Sequence, residues 1–342
     1  MHDRPRHFAL GIPNLIGGPS VLQFVKRTGP LVVMLIVLGL AFWFLDWRAL
    51  VETASRMSIS AVVASLAFCL LTHLLIALRW SMIATGQDAP GESGTSRAWN
   101  EFLVSLHASL FNLITPAALG ADLHRIVAGK GREGGRAGSA GFILLERLLG
   151  ILAQFAIFVG AYSIFRWGSG TNGGPLPPAF TWAATIFAVG SAAIFVGLVV
   201  IAPMAPMWLG ERKQRGASVS LAMAEGVRTS GPRLIALMGL SFAAVASWVA
   251  ASAPLAADAG LTTSLWGLAM IVVITEFARL MPISVQGIGI RESAFAVFSA
   301  QLGADAAAGF TVCALLYLLN YVVVAGLGAS AGLLLQSAQR PS

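Results

Sequence analysis

Residues 59–80 read ISAVVASLAFCLLTHLLIALRW, 22 positions with a single formal charge, at Arg79. Roughly 20 consecutive apolar residues are what an α-helix needs to cross the hydrocarbon core of a bilayer. Similar runs lie at about 30–45, 138–165, 179–202, 232–255, 264–283 and 306–335, with shorter, polar-interrupted ones at 99–116 and 288–302. The composition agrees: of 342 residues 57% are hydrophobic and only 11% charged, with a mean hydropathy of +0.79. A soluble domain carries about 25% charged residues, so this chain cannot clothe itself for water. A soluble enzyme, a coiled coil and a disordered scaffold are excluded. The expected fold is all-α, a polytopic integral membrane helical bundle of about seven full spans plus two re-entrant or broken helices.

Charge placement orients the bundle. Arg4, Arg6, Lys26 and Arg27 mark residues 1–29 as a cytoplasmic basic tail, and residues 30–336 read as one transmembrane domain. The bulky Phe42–Trp47 stretch after the first run lacks a small-residue cleavage site, so that run is expected to remain as a span. A full crossing at 99–116 would push Arg125, Lys130, Arg132 and Arg136 to the outside, against the positive-inside rule. A segment that dips in and returns over 99–125 keeps them cytoplasmic. It also leaves the 168–178 connection, without Lys or Arg, outside, and puts Arg212, Lys213, Arg215 and Arg228 inside. The net charge of +7 is therefore a property of loops, and nucleic acid is not an expected partner.

Ionisable groups inside membrane segments are costly, so each is a functional hypothesis. Four places collect them. Arg79-Trp80 closes the 59–80 run and, taken alone, reads first as a snorkelling Arg beside an interfacial Trp. In Asn112-Leu-Ile-Thr-Pro116-Ala-Ala-Leu-Gly120-Ala-Asp122-Leu-His124-Arg125, Pro116 breaks a helix and Gly120 permits a turn. Asp122 and Arg125 follow one turn apart, as in sites that transporters build from discontinuous helices. Glu146-Arg147 lies inside a long apolar run; adjacent helical residues point about 100° apart, so each needs a partner elsewhere. The fourth stretch places Glu276 and Arg279 on one helix face before Pro282. Gly287-x-Gly289 then turns the chain into Arg291-Glu292 at the next helix N-terminus, an expected anion cradle.

Cross-pairing between these groups is expected, with a surplus Arg, of which Arg291 is the candidate, left for a phosphate. The two broken segments are expected to meet on one central cavity, because lipid cannot satisfy their freed backbone groups. No strand precedes Gly287-x-Gly289, which excludes a dinucleotide site. No catalytic or metal-spaced motif is present, so neither a cofactor nor a metal is expected, and the chain is not expected to be an enzyme. Cys69 and Cys313, inside apolar runs, read as core or lipid-facing side chains. His73 and His107 read as packed helix residues, and Gly328-x-x-x-Gly332 as a helix-packing face.

Arg79-Trp80, Pro116…Gly120-x-Asp122-x-x-Arg125, Glu146-Arg147 and Pro282…Gly287-x-Gly289-x-Arg291-Glu292 stand in the order seen in the lysylphosphatidylglycerol synthase transmembrane, or flippase-like, family. The chain resembles that family over roughly residues 30–335, with Ala121 and Gln286 standing where the family usually has glycine. The resemblance implies a multi-pass protein of the bacterial inner membrane that handles polar-headed, polyprenyl or hopanoid-type lipids. The synthase reaction belongs in that family to a soluble aminoacyl-transferase domain and is not expected of these residues. A lipid translocator is the first expectation, with a membrane lipid as substrate. The others are an accessory enzyme, or a scaffold working with lipid-synthesis enzymes or a second copy of itself.

Overall fold

The computed structural model describes residues 47–84, 94–113, 115, 119–128, 135–168, 176–198, 233–279 and 287–338. The expected tail at 1–29, the run at 30–45, Pro116, Pro282 and the basic residues Lys130 and Arg132 lie outside the described residues.

Among the described residues there are helices and no strand: α1 Trp47–Ser55, α2 Ile59–Ala84, α3 Gly94–Asn112, α4 Gly120–Ala128 and α5 Gly135–Gly168, then α6 Pro178–Val196, α7 Leu234–Asp258, α8 Leu265–Arg279, α9 Ile290–Gln301 and α10 Ala306–Ala338. Five segments among the described residues are long and apolar enough to cross a bilayer: Ile59–Ala84, Gly138–Trp167, Pro178–Val196, Leu234–Asp258 and Ala306–Ser337. The protein is therefore a multi-pass helical membrane protein. The expected span at 264–283 is described as only the 15 residues of α8, or about 22 Å at 1.5 Å per residue. That is shorter than the roughly 30 Å of hydrocarbon. At 9 and 12 residues, α4 and α9 are shorter still.

The surface of α6 shows what the bundle faces. Phe180, Ala184 and Phe187 turn inward at helical spacing, while Trp182, Ile186 and Val189 stand exposed between them. Large apolar side chains on an outer face suit lipid and would be a liability in water. The inward face of α6 joins an aromatic knot: Phe155 of α5 stacks on Phe187 at 4.6 Å and leans on Phe277 of α8 at 5.0 Å. Cys69 and Cys313 are free thiols buried in the same core. Inside this shell α2 runs along α7, α5 packs on α7 and α8, and α8 packs on α9.

Helices in lipid approach closely where small residues remove side-chain bulk. Gly328 and Gly332 do so for α10 against α3, as their spacing suggests. A Cβ on Gly328 would sit 2.4 Å from Leu110, and one on Gly332 would sit 2.7 Å from His107 Nδ1. His107 in turn hydrogen-bonds the Gly328 carbonyl at 3.1 Å, confirming it as a packed helix residue. At Gly326, two residues away, a Cβ would meet nothing within 4 Å. Overpacking a filled contact costs about 1–3 kcal/mol. Gly332→Val should therefore lower the thermal unfolding midpoint of the purified protein, and Gly326→Ala should leave it unchanged. Equal midpoints for the two variants would contradict this packing.

Candidate functional site

The two breaks place the charges. At the first, α3 ends at Asn112 and α4 begins at Gly120, where an added Cβ would lie 2.2 Å from the Phe111 carbonyl oxygen. Only glycine allows the chain to fold back this tightly. The exposed N–H groups that open α4 are satisfied locally: Gly120 N donates to Thr115 Oγ1 at 2.9 Å, and Ala121 N to Asn112 Oδ1 at 2.8 Å. Asp122 and Arg125, one turn apart, are thereby aimed at α5.

There they meet Glu146 and Arg147. Arg125 Nη1 donates to Glu146 Oε2 at 2.5 Å and Nη2 donates to Asp122 Oδ1 at 3.0 Å. Arg79, near the C-terminal end of α2, donates to Glu146 Oε1 at 3.2 Å and to Ser241 Oγ of α7 at 2.8 Å. Arg147 turns away from its neighbour and donates through Nε to Asp122 Oδ2 at 2.6 Å. The expected cross-pairing is thus present for the first three charged groups. Glu146 is a carboxylate forked between two arginines from different helices, and Asp122 another. Arg125 also lies 4.5 Å above the Trp80 ring, whose indole N–H donates to Glu101 at 3.2 Å.

The fourth group keeps to itself. Arg279 pairs with Glu276 at 3.0 Å, and Glu276 also accepts from Trp248 Nε1 at 2.9 Å and from the Tyr317 hydroxyl. Beyond the second break, Gly287 and Gly289 adopt φ of +73° and +85°, the left-handed region open to glycine. A Cβ on Gly287 would lie 2.8 Å from the Arg279 Cα, so the turn doubles back onto the end of α8.

Here the expectation for an anion cradle fails. Glu292 Oε2 accepts the Gly289 N–H at 2.6 Å, while the N–H groups of Ile290 and Arg291 both point to the Gly287 carbonyl. The chain's own carboxylate already occupies the helix N-terminus. Arg291, 1% exposed, is also no surplus cation. Its guanidinium lies 3.3 Å above the Tyr317 ring, its Nε donates to Glu292 at 2.9 Å and its Nη2 to Tyr321 at 2.7 Å.

Two adjoining cavities, of about 220 and 240 Å³, open between these helices and share His73, Arg79, Gln154, Glu276 and Arg279 as a common wall. The larger is lined by Arg79, Asn112, Asp122, Arg125, Glu146, Arg147, Glu276 and Arg279. Asn112 to Arg125 of the first broken segment line this cavity together with Glu276 and Arg279 from the end of α8, so the expected meeting of the two breaks is seen for the first break only. Gly287, Gly289, Arg291 and Glu292 do not line it, because the chain has already turned behind Tyr317. Arg147 and Arg279 keep 34% and 28% of their side chains exposed, against 9% for Arg79 and Arg125.

Sequence reading missed the neutral partners: Ser241, Trp248, Asn320 (2.8 Å from His73 Nε2), Tyr317, Tyr321 and Gln154. Gln154 and Asn320, polar residues in the middle of apolar runs, were the available signals. Among the described residues no three His, Cys, Asp or Glu side chains gather to hold a metal, and each cavity carboxylate already holds an arginine. The chemistry on offer is guanidinium recognition of an oxyanion.

The family described as the lysylphosphatidylglycerol synthase TM region has a profile that matches residues 29–328. No curated protein and no solved structure matches the chain.

Stranding one partner of a buried pair costs about 3–5 kcal/mol. Glu146→Ala, which abandons two arginines at once, should sharply reduce the yield of folded protein. Arg291→Ala, which unpairs a Glu292 oxygen and empties the space between two tyrosines, should also reduce it. The half-exposed Arg147→Ala should be made at close to normal yield. Yield and monodispersity of the three variants in detergent are the readout, and a normal yield for Glu146→Ala would refute the forked pairing.

Proposed function

The chain belongs to the lysylphosphatidylglycerol synthase transmembrane family, and on that premise we propose that it is a lipid translocator and not an enzyme. The observation that carries this reading is the charged cavity inside a helical bundle whose outer faces are apolar. A polar head group crossing a bilayer needs a path where its charge meets counter-charge, while its tails remain in lipid. The cavity supplies the first and the apolar outer faces of the bundle the second. Guanidinium groups suit phosphate because their planar fork matches two oxygens at once. Arg147 and Arg279, the more exposed of the cavity arginines, are the contacts a phosphate would reach first.

In this reading α3–α4 and α8–α9 are segments that enter the membrane and return, so that the breaks lie at the cavity and not against acyl chains. The N-terminus is then cytoplasmic and the protein resides in the bacterial inner membrane.

The test is reconstitution of the purified protein into vesicles whose phospholipid carries a fluorophore on one acyl chain. Dithionite added outside bleaches only the outer leaflet unless lipid moves. Vesicles with the wild-type protein should lose fluorescence beyond the outer-leaflet fraction, and those with Arg147→Ala should behave like protein-free vesicles. Wild-type protein that moves no lipid would overturn the translocator in favour of an accessory or scaffold role in lipid synthesis.

A further inference from the structure

Beside the ion pairs stand neutral polar groups that the pairing does not use. His73 lies near the middle of Ile59–Ala84, Gln154 near the middle of Gly138–Trp167 and Asn320 near the middle of Ala306–Ser337. All three line the smaller cavity, and His73 and Gln154 also line the larger. They therefore mark the level at which the two cavities adjoin. Each of the three is partly buried.

Most other polar groups on the smaller cavity's wall are engaged within the protein. Thr72 Oγ1 donates to the Phe68 carbonyl at 2.9 Å, and Ser241 Oγ to the Leu237 carbonyl at 2.9 Å. The Trp248 indole and the Tyr317 hydroxyl both donate to Glu276, while Arg79 and Arg279 have carboxylates. Gln154 is different, because its amide makes no hydrogen bond with any described residue. His73 Nε2 and Asn320 Oδ1 share one hydrogen bond at 2.8 Å. Whichever atom carries the proton, that pair keeps at least one donor and one acceptor unused.

An amide at this depth finds no partner in acyl chains, and a leucine would stand there without the loss of solvation. Polar groups left open to a cavity near the bilayer midplane are where transporters meet their cargo. The cargo's chemistry follows from the groups on offer. Gln154 supplies two N–H donors and one carbonyl acceptor, and the His73–Asn320 pair adds at least one of each. A phosphate oxygen only accepts and an ammonium only donates, so either would leave half of this wall unmet. A hydroxyl does both from one atom.

We propose that Gln154, His73 and Asn320 form a recognition site for neutral hydroxyl groups, and that the lipid handled here carries a polyhydroxylated head, a glycerol or a sugar. This deepens the translocator reading and rests on it for the use of the site, but recognition can be read without movement.

The experiment uses the full-length purified protein in lauryldimethylamine oxide, a detergent whose head has no hydroxyl. It is equilibrated with two matched pairs of lipids sharing the same acyl chains. Phosphatidylglycerol and phosphatidylpropanol have equal charge and differ in the hydroxyls, and monogalactosyl diacylglycerol is set against diacylglycerol. Lipid retained after exchange into lipid-free detergent is measured by mass spectrometry. The hydroxylated member should be enriched about tenfold in at least one pair, equivalent to roughly 1.4 kcal/mol. The pair that responds tells whether the hydroxyls arrive on a glycerol phosphate or on a sugar. Gln154→Leu should abolish that preference and raise the thermal midpoint of the lipid-free protein, because it removes an amide with no protein partner. No preference in either pair, a preference unchanged in Gln154→Leu, or a lowered midpoint for that variant would each overturn the proposal. Hydroxyl selection by a protein that moves no lipid in vesicles would instead sink the translocator and leave the recognition site standing.

Discussion

Glu146 is held between Arg79 and Arg125, and much of the arrangement depends on that fork. A carboxylate within a membrane-spanning helix is tolerable only with partners of opposite charge and filled hydrogen bonds. Both arginines come from elsewhere: Arg79 from α2 and Arg125 from α4. One side chain on α5 therefore ties together two helices that approach it from different directions. Asp122 repeats the device, joining Arg125 on its own helix to Arg147 on α5. The short α4, too brief to cross a bilayer and with Leu123 and Val127 exposed, is anchored by these ion pairs as much as by its packing on α3.

The same pairing explains why the interior is hollow at that level. Arginine and carboxylate side chains of different lengths meet tip to tip and cannot fill space as Leu or Phe would. Phe155, Phe158, Phe187 and Phe277, by contrast, pack ring against ring between α5, α6 and α8. The cavity lies where the wall changes from apolar to charged, and a Cβ on Gly150 would meet the Arg79 guanidinium at an ordinary contact distance of 3.6 Å.

The fold class and the charged positions were legible because in a membrane chain both are exceptions to a uniform background. Twenty apolar residues announce a span, and a Glu within them announces a partner. The same logic failed at one helix start. At Arg291-Glu292 the residues are adjacent, which on a helix interior argues against contact, yet at a helix start Glu292 folds back onto Gly289 and Arg291 reaches it at 2.9 Å. Capping won over the anion site that the same exposed N–H groups suggested. The expected spans at 30–45 and at the end of 264–283 lie outside the described residues. The neutral partners, Ser241, Trp248 and Tyr317, carried no signal because such residues are ordinary in apolar helices until a charge is placed beside them.

The central claim is that the ionic cluster surrounds a wet, lipid-accessible cavity deep in the bundle. Gln154 lies near the middle of the Gly138–Trp167 span and on the wall of both cavities. The direct measurement is labelling of Gln154→Cys, with Cys69 and Cys313 changed to Ser, by a charged, membrane-impermeant maleimide in the reconstituted protein. Maleimide reacts with a thiolate in water and not with a thiol held in hydrocarbon. The account predicts efficient labelling at Gln154→Cys and none at an outward position such as Ile186→Cys. An unreactive Gln154→Cys in a well-folded protein would contradict it.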